Sequence, residues 1–307
     1  MQTIYNALLP IIILILLGYG LQRSQCFTNQ FWSEIEKITY YILTPALLIH
    51  ALADKPLNGL PWQDLFLTLD LTIFLCTLLM IVWQRWGRPL DAASFTSQFQ
   101  GGIRFNTFIA LALADALFGE EGLLYGAIAS VAMIILINIL CVTAFAVSVP
   151  RARFSLGSLL RQLTINPLIL GCVAGLGLNL SGINLPDAAK ETFALAGRAA
   201  FPIGLLAVGA GLKLRSLTQD WELNLTASAV QFLVKPFLAV SLSQFFGLNG
   251  LAAAIVILFL SVPTAPSAYI LSRQLGGNYQ AMAAVITFQT LVAFITLPVT
   301  LWLLGVK

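Results

Sequence analysis

The chain alternates long apolar segments with short polar connections. Hydropathy averaged over windows of about 19 residues finds ten apolar segments, each close to the roughly 20 residues that a helix needs to cross a bilayer. In order they are residues 4–22, 35–53, 65–83, 93–117, 122–148, 163–181, 188–212, 222–246, 250–271 and 281–304. This pattern predicts an all-α polytopic membrane protein with ten transmembrane helices, numbered spans 1 to 10.

Composition agrees with this class. Hydrophobic residues make up 59% of the 307 residues and charged residues 9%, against about 45–50% and 25% in soluble domains. The formal net charge of +3 provides no basic surface for nucleic acid, so no nucleic-acid partner is expected. The single histidine, His50, and the four cysteines, which lack a CxxC spacing, predict neither a metal site nor a cofactor.

The positions of lysine and arginine predict how the chain lies in the membrane, because cytoplasmic loops keep positive charge during insertion. With the N-terminus outside, ten of the 16 basic residues fall in cytoplasmic loops, namely Arg23, Lys37, Arg85, Arg88, Arg151, Arg153, Arg161, Lys213, Arg215 and Arg273. Three others, Lys55, Lys190 and Lys307, then lie outside. Both termini are therefore predicted on the outer side.

The two halves of the chain share a pattern of glycines and prolines. A shift of 157 residues without gaps superposes five pairs: Pro10 with Pro167, Gly18 with Gly175, Gly20 with Gly177, Pro45 with Pro202, and Gly119 with Gly276. Two halves of five spans insert with opposite orientations, an architecture known in secondary transporters. We therefore divide the chain into a first repeat, residues 1–148, a short cytoplasmic linker, 149–162, and a second repeat, 163–307.

Spans 4 and 9 are counterparts under this shift, and both carry helix-breaking residues near their centres. Gly101, Gly102 and Asn106 lie in span 4, whereas span 9 contains Pro263 and Pro266, each of which removes a backbone donor. A break in hydrocarbon is tolerated only where the freed backbone groups are buried in protein or line a cavity. Two broken helices at corresponding positions predict a ligand site near the middle of the membrane.

A broken helix suits a small anion. Its second half begins with free N–H groups and a partial positive charge of roughly +0.5. Asn106 and Thr264 can cap these half-helices or turn their side chains toward a ligand. Arg104 lies two residues before Asn106, and its guanidinium would attract a carboxylate.

Four further ionisable residues lie in or near the spans, where a charge suggests a function. Asp70 in span 3 and Lys235 in span 8 occupy counterpart helices and could form either a structural bridge or a proton-linked switch. Asp115 and Arg198 lie closer to span ends, where their side chains can reach the interface. The sequence lacks HExxH and GxSxG motifs, so a membrane-embedded enzyme is not expected.

Six segments spread over nearly the whole chain form a specific combination. They are TPALLIHAL at 44–52, FNTFIALALADALFGEEG at 105–122, NPLILGCVAGLGLNL at 166–180, FPIGLLAVGAGL at 201–212, VKPFLAV at 234–240, and SVPTAPSAYILSRQLGGNYQ at 261–280 with ITLPV following at 295–299. Together they resemble the auxin efflux carrier family of transporters, in particular its compact bacterial branch of malonate permease-like proteins.

The resemblance implies that broken spans 4 and 9 cross at the midplane, as in sodium–bile acid symporters and sodium–proton antiporters. It also implies elevator-type movement of a core of spans 3–5 and 8–10 against a scaffold of spans 1, 2, 6 and 7. The family's crossover asparagine and proline match Asn106 and Pro263, while Asp70 and Lys235 look like a polar pair beside the crossover. Two departures are that span 4 has no proline and that residues 149–162 cannot hold the long cytoplasmic loop of plant members.

The sequence thus predicts a secondary transporter or facilitator for a small mono- or dicarboxylate in a bacterial inner membrane. The predicted substrate-binding residues are Asn106, Arg104, Thr107, Pro263, Thr264 and Ser267. The predicted partners are the organic anion, the lipid bilayer and a coupling proton or sodium ion, and a homodimer through the scaffold helices is compatible with this scheme.

Two alternatives remain open at this point. The first is a sodium-coupled organic anion symporter of the same fold, although the residues around Asn106 and Pro263 offer amides, hydroxyls and carbonyls rather than the acidic ligands such a site would need. The second is a channel or a non-transporting membrane sensor.

Overall fold

The computed structural model describes residues 2–149, 156–217 and 220–303. Within these ranges the chain forms fourteen α-helices and no β-strand, so the predicted all-helical class is confirmed. The helices are α1 Gln2–Arg23, α2 Asn29–Ile38, α3 Thr44–Leu52, α4 Trp62–Trp86, α5 Ala92–Ile103, α6 Thr107–Ser148, α7 Leu156–Thr164, α8 Pro167–Ser181, α9 Asp187–Ala210, α10 Trp221–Ala229, α11 Lys235–Phe245, α12 Gly250–Ser261, α13 Ser267–Leu275 and α14 Tyr279–Leu303. Residues 150–155 of the predicted linker, as well as Lys307 of the predicted orientation, lie outside the described residues, and Arg151 and Arg153 belong to that linker segment.

Six helical stretches in the described part of the chain are long and apolar enough to cross a membrane. They are Gln2–Arg23, Trp62–Trp86, Ala92–Ser148, Asp187–Ala210, Trp221–Phe245 and Tyr279–Leu303. Spans 4 and 5 lie together in the third of these stretches, and Pro167–Ser181 and Gly250–Ser261 are shorter apolar helices. This is the helical character of an integral membrane protein, while the count of ten crossings stays a prediction.

Two spans contain a single π-helical turn just before a proline. The turns are Thr39–Leu43 and Val230–Val234, which precede Pro45 and Pro236. A proline ring clashes with the carbonyl group four residues earlier, and the helix widens there, so that the N–H of Lys235 donates to the carbonyl group of Val230, five residues back. The second π turn thereby places Lys235 at the start of α11.

The first half of span 4 begins at a strong N-cap. The Oδ1 of Asp91 accepts hydrogen bonds from the N–H groups of Ala93 and Ser94 at 3.0 and 3.1 Å. A hydrogen bond from the Ser94 side chain, assisted by these backbone bonds, holds the pKa of Asp91 below its ordinary value. Because α5 has 12 residues, it rises about 18 Å, which is less than the roughly 30 Å hydrocarbon core of a bilayer.

The break in span 4 comprises residues 104–106, between α5 and α6. Gly101 and Gly102 precede it and belong to the last turn of α5, so the helix continues past the glycines at which the sequence suggested a break. A Cβ at Gly101 would lie 2.7 Å from Cγ1 of Val285, and one at Gly102 would overlap the side chain of Met80. These glycines therefore permit close packing rather than end the helix.

The break in span 9 comprises residues 262–266, between α12 and α13. Pro263 lies inside this non-helical segment, and Pro266 is the N-cap residue of α13, as their missing N–H groups would suggest. Each second half-helix is bounded by a glycine with positive φ. In α6 this is Gly119, with φ of 63°, and α13 is followed by Gly276, with φ of 80°, a conformation that other residues rarely adopt.

The helices pack in two groups. In the first, α1 lies against α9, and α3 lies against α8 and α9. Glycines bring α1 and α9 close together, since Gly18 faces the backbone of Leu206 and Gly209 faces that of Ile15. In the second, α4, α5 and α6 pack with α10, α11, α12 and α14. Both helix breaks belong to this second group.

Candidate functional site

The two broken segments meet through Asn106 and Pro263. The backbone N–H of Asn106 donates a hydrogen bond to the carbonyl oxygen of Pro263 at 2.8 Å. Asn106 also caps α6, because its Oδ1 accepts hydrogen bonds from the N–H groups of Phe108 and Ile109 at 3.1 and 3.3 Å. Its Nδ2 is buried and has no hydrogen-bond partner among the described residues. The side chain thus satisfies the helix end and keeps one donor unused.

This capping limits what the start of α6 can offer an anion. Besides the two N–H groups bonded by the Asn106 side chain, the N–H of Ala110 bonds to the Asn106 carbonyl group. Most of the N–H groups at this helix end, where the sequence suggested that an anion would sit, are therefore occupied. Side chains must supply most of the binding.

The carbonyl oxygen of Gly101, near the end of α5, accepts two hydrogen bonds from the second half of the chain. The hydroxyl of Thr264 donates to it at 3.0 Å and the Nε2 of Gln289 at 2.8 Å. The Oε1 of Gln289 in turn accepts from the N–H of Thr264 at 3.0 Å. We call the place where the broken segments 104–106 and 262–266 meet the crossing. Thr264 is held in the crossing by both its backbone and its side chain.

Lys235 closes the end of α5. Its Nζ donates to the carbonyl oxygens of Ile103 and Arg104 at 3.2 and 3.4 Å and to the Oε1 of Gln231 at 2.7 Å. The Nε2 of Gln231 donates to the carbonyl oxygen of Val262 at the end of α12. Lys235 is 0% exposed, and its Nζ lies against the carbonyl end of α5, where a positive charge is favourable.

Asp70 and Lys235, which the sequence suggested as a pair, are not brought together. Lys235 is bonded to the crossing, and the Oδ1 of Asp70 is buried without a hydrogen-bond partner among the described residues. The ion pairs within the described ranges are Lys37–Glu34, Lys55–Glu120, Arg88–Glu222 and Lys190–Asp54. A contact between Asp70 and Lys235 would require another conformation of the protein.

A cavity of about 580 Å³ lies beside the crossing. It is bounded by α2 and its π turn, α6, α8 and α13, and three predicted site residues line it: Arg104, Thr107 and Ser267. The other three, Asn106, Pro263 and Thr264, are buried behind this wall. The structure therefore divides the predicted site into an accessible wall and a buried crossing.

Arg104 lines this cavity together with two other charged residues, Glu36 and Lys37. One of its terminal nitrogens donates to the hydroxyl of Ser267 at 3.1 Å, and the other lies 3.4 Å from the Oδ1 of Asn138. Neither partner carries a charge, and Arg104 is in none of the ion pairs among the described residues. The planar guanidinium is suited to bind a carboxylate through two parallel hydrogen bonds.

Three contributing residues were missed from the sequence: Asn138 beside Arg104, and Gln231 and Gln289 at the crossing. All three are amide residues within otherwise apolar spans. Uncharged amides in hydrocarbon need partners just as charges do, so a survey of amides as well as ionisable residues would have found them.

Comparison with known proteins places the sequence in a family. Residues 3–149 and 147–301 match a family model described as "Membrane transport protein". The chain belongs to the auxin efflux carrier family. This match confirms the family suggested by the sequence. The protein is therefore an integral membrane protein, and its relatives are named as transporters rather than enzymes.

Two curated relatives align with this carrier family member over nearly its whole length. An "Uncharacterized transporter" of Methanothermobacter thermautotrophicus is 23% identical over 310 residues, which cover 97% of this chain and 96% of the relative. A "Putative malonate transporter" of Rhizobium meliloti is 24% identical over 312 residues, which cover 99% and 97%.

Proposed function

We propose that the protein is a secondary transporter or facilitator that carries a small mono- or dicarboxylate bound to Arg104. The observation that supports this most directly is a guanidinium that lines a cavity beside two broken helices and has no carboxylate partner among the described residues. A charge within a span costs about 2.5–3.5 kcal/mol on insertion scales. A ligand carboxylate would offset that cost.

The cavity suits a small substrate. Its volume of about 580 Å³ lies in the range of roughly 300–1,000 Å³ of ligand pockets. The substrate carboxylate would bind the guanidinium, with the hydroxyls of Thr107 and Ser267 and the amide of Asn138 as neighbouring hydrogen-bonding groups. Because one relative is named for malonate, short dicarboxylates are the first substrates to examine.

Asn106 would enter the cycle when the crossing changes conformation. Its Nδ2 is a buried donor without a partner, and such a group costs about 1–3 kcal/mol while it is unpaired. A conformation that exposes it to the cavity would let it bind a substrate oxygen. This makes Asn106 a candidate ligand in one state and a helix cap in the other.

Inverted repeats and elevator-type movement remain part of the proposal. Supporting features are that α5 and α12 both have 12 residues, and that Gly119 and Gly276, related by the shift of 157, both have positive φ. The packing of α1, α3, α8 and α9 as one group and of α4 with α10–α12 and α14 as another is consistent with a scaffold and a moving core.

We further propose that transport is independent of sodium. Carbonyl groups at a helix end near the site would be natural sodium ligands, but those of Ile103 and Arg104 already accept hydrogen bonds from the ammonium of Lys235. The Lys235 amino group would therefore take the place of a bound sodium ion. Asp70, whose buried Oδ1 is unpartnered, is the proposed carrier of a coupling proton.

Counterflow in proteoliposomes tests this function. Vesicles preloaded with unlabelled malonate should take up labelled malonate saturably, with and without a sodium gradient. Arg104→Gln should raise the half-saturating concentration roughly 10- to 100-fold, as expected for a hydrogen bond to a charged group. The matched control is Arg85→Gln, an exposed arginine at the end of α4.

Each outcome separates the alternatives. Uptake without counterflow would indicate a channel, and strict dependence on a sodium gradient would indicate a sodium-coupled symporter. Unchanged saturation in Arg104→Gln would show that the anion does not bind at this cavity. The same panel, extended to lactate, succinate and an aromatic acid, would identify the preferred carboxylate.

A further inference from the structure

A second cavity of about 580 Å³ lies where the ends of several helices meet. It is formed by the end of α1, the turn that follows α9, the start of α14 and part of α13. Three basic residues line it, namely Arg23, Lys213 and Arg215. This cavity is separate from the one beside the crossing and shares no lining residue with it.

Its positive charge is not neutralised by the described protein. The described lining contains no aspartate or glutamate. Arg23, Lys213 and Arg215 are also in none of the ion pairs found within the described ranges. Three like charges around one cavity repel each other, and an anion bound between them would offset that repulsion.

Hydrogen bonds fix the backbone of the turn after α9 at Lys213. The N–H of Lys213 donates to the hydroxyl of Thr287 at 2.9 Å. The carbonyl oxygen of Lys213 accepts hydrogen bonds from both the N–H and the hydroxyl of Ser216 at 2.9 and 2.6 Å. The ammonium of Lys213 lies 4.2 Å from the ring centroid of Tyr269, a cation–π contact. The backbone of this turn and the ammonium of Lys213 are thus held in place.

The surroundings of the cavity match a membrane interface. Tyr19, Tyr269 and Tyr279 also line it, and tyrosines are enriched where helices leave the hydrocarbon. Leu16, one helical turn before Tyr19, is 48% exposed, and Leu214, between the two cations of the turn, is 39% exposed. Exposed apolar side chains therefore lie one turn before Tyr19 and between Lys213 and Arg215.

We propose that this cavity binds the phosphate headgroup of an anionic phospholipid. Arg23, Lys213 and Arg215 would bind the phosphate, the tyrosine hydroxyls would donate to its oxygens or to the glycerol, and an acyl chain would follow Leu16 along α1. In the predicted orientation this is the cytoplasmic leaflet, where anionic lipids attract basic residues next to membrane spans.

The position of the lipid gives it a role in transport, and this part rests on the proposed function. The cavity joins α1 and the turn after α9 to α13 and α14, that is, the proposed scaffold to the proposed core. A lipid bound there would favour the arrangement of the two groups seen in this structure. Lipid binding itself can be measured without any transport assay.

Native mass spectrometry of the full chain in detergent tests the proposal with phosphatidylglycerol and phosphatidylcholine as probes. We expect one tightly retained phosphatidylglycerol and no comparable phosphatidylcholine. The double variant Lys213→Gln/Arg215→Gln should bind phosphatidylglycerol roughly 10- to 30-fold more weakly, because each substitution removes the attraction of one basic residue to the anionic lipid. The control Arg85→Gln/Arg273→Gln removes two exposed cations outside the cavity and should bind as the wild type does.

Two arms distinguish the sources of the phosphate. In the first arm, delipidated protein is incubated with inorganic phosphate alone. In the second arm, the complex with phosphatidylglycerol is challenged with inorganic phosphate at the same concentration as the lipid. Retention of the lipid supports the proposal. Equal binding of phosphatidylcholine, displacement by inorganic phosphate, or unchanged binding in Lys213→Gln/Arg215→Gln would each overturn it, whether or not the protein transports carboxylates.

Discussion

The backbone N–H of Asn106 donates a hydrogen bond to the carbonyl oxygen of Pro263 at 2.8 Å, while the side chain of the same asparagine caps α6. One residue therefore joins the two broken helices and starts the longer of the two half-helices that follow. Its unpartnered Nδ2 is the group that the proposed mechanism assigns to the substrate. Substitutions can separate these roles, because Oδ1 acts in capping and Nδ2 does not.

Asn106→Ala and Asn106→Asp should differ in stability but not in transport. Alanine removes the cap and should lower the free energy of unfolding by about 0.5–2 kcal/mol. Aspartate keeps an acceptor for the N–H groups of Phe108 and Ile109, so its melting temperature in detergent should match that of the wild type. Both variants lack the donor and should lose counterflow. Wild-type transport by Asn106→Asp would show that Nδ2 does not contact the substrate.

Asn138→Asp should inhibit transport more than Asn138→Ala. The Oδ1 of Asn138 lies 3.4 Å from a terminal nitrogen of Arg104, so an aspartate there would pair with the guanidinium and compete with the substrate carboxylate. Alanine removes only a long hydrogen bond between uncharged and charged groups. The check is the half-saturating malonate concentration in counterflow, and equal values for the two variants would contradict the assignment of Arg104.

Lys235→Met should destabilise the protein. Without the ammonium, the carbonyl oxygen of Ile103 and the Oε1 of Gln231 lose a buried donor, and each unsatisfied group costs about 1–3 kcal/mol. The control is Lys190→Met, which removes a partly exposed ion pair with Asp54 worth about 0–1 kcal/mol. Thermal unfolding in detergent measures the stability of both variants. Equal melting temperatures would mean that the buried lysine does not hold the end of α5.

Gly18→Ala should weaken the contact between α1 and α9, whereas Gly20→Ala should be tolerated. A Cβ at Gly18 would overlap the backbone of Leu206, but one at Gly20 meets no atom within 4 Å. Overpacking of this kind typically costs 1–3 kcal/mol, and alanine in an open helical position is neutral or slightly stabilising. The melting temperatures of the two variants test this difference in stability. A stable Gly18→Ala would show that the helices can separate without cost.

Cys26 provides a test of the predicted orientation. It is exposed and lies just after α1, whereas Cys76, Cys141 and Cys172 are buried. A membrane-impermeant maleimide should label inside-out vesicles and not intact spheroplasts. Cys26→Ser should abolish the labelling. The opposite pattern would place the N-terminus on the cytoplasmic side and reverse the predicted topology.

Features set by a single residue's own chemistry could be predicted from the sequence. Pro263 and Pro266 lie outside regular helix because a proline lacks an N–H in any context. Asn106 caps a helix because its short side chain can reach the following N–H groups. Glycine is ambiguous, since it either ends a helix or lets another helix approach, and Gly101 and Gly102 do the latter.

Features set by distant partners could not be predicted. Gln289 donates to the carbonyl oxygen of Gly101, 188 positions away in the sequence, and nothing near either residue indicates this contact. The same limit applies to Lys235. Its charge suggested a carboxylate partner, but three-dimensional packing places it against the carbonyl groups that end α5 and not against Asp70.

The end of α5 has a consequence for biosynthesis. The carbonyl groups of Gly101 and Ile103 accept hydrogen bonds from Thr264, Gln289 and Lys235, all of which leave the ribosome more than a hundred residues later. Until then these groups lack their final donors, which would be costly in hydrocarbon. The hydrogen bonds that join these two carbonyl groups to the second half of the chain can therefore form only after Lys235, Thr264 and Gln289 have been synthesised.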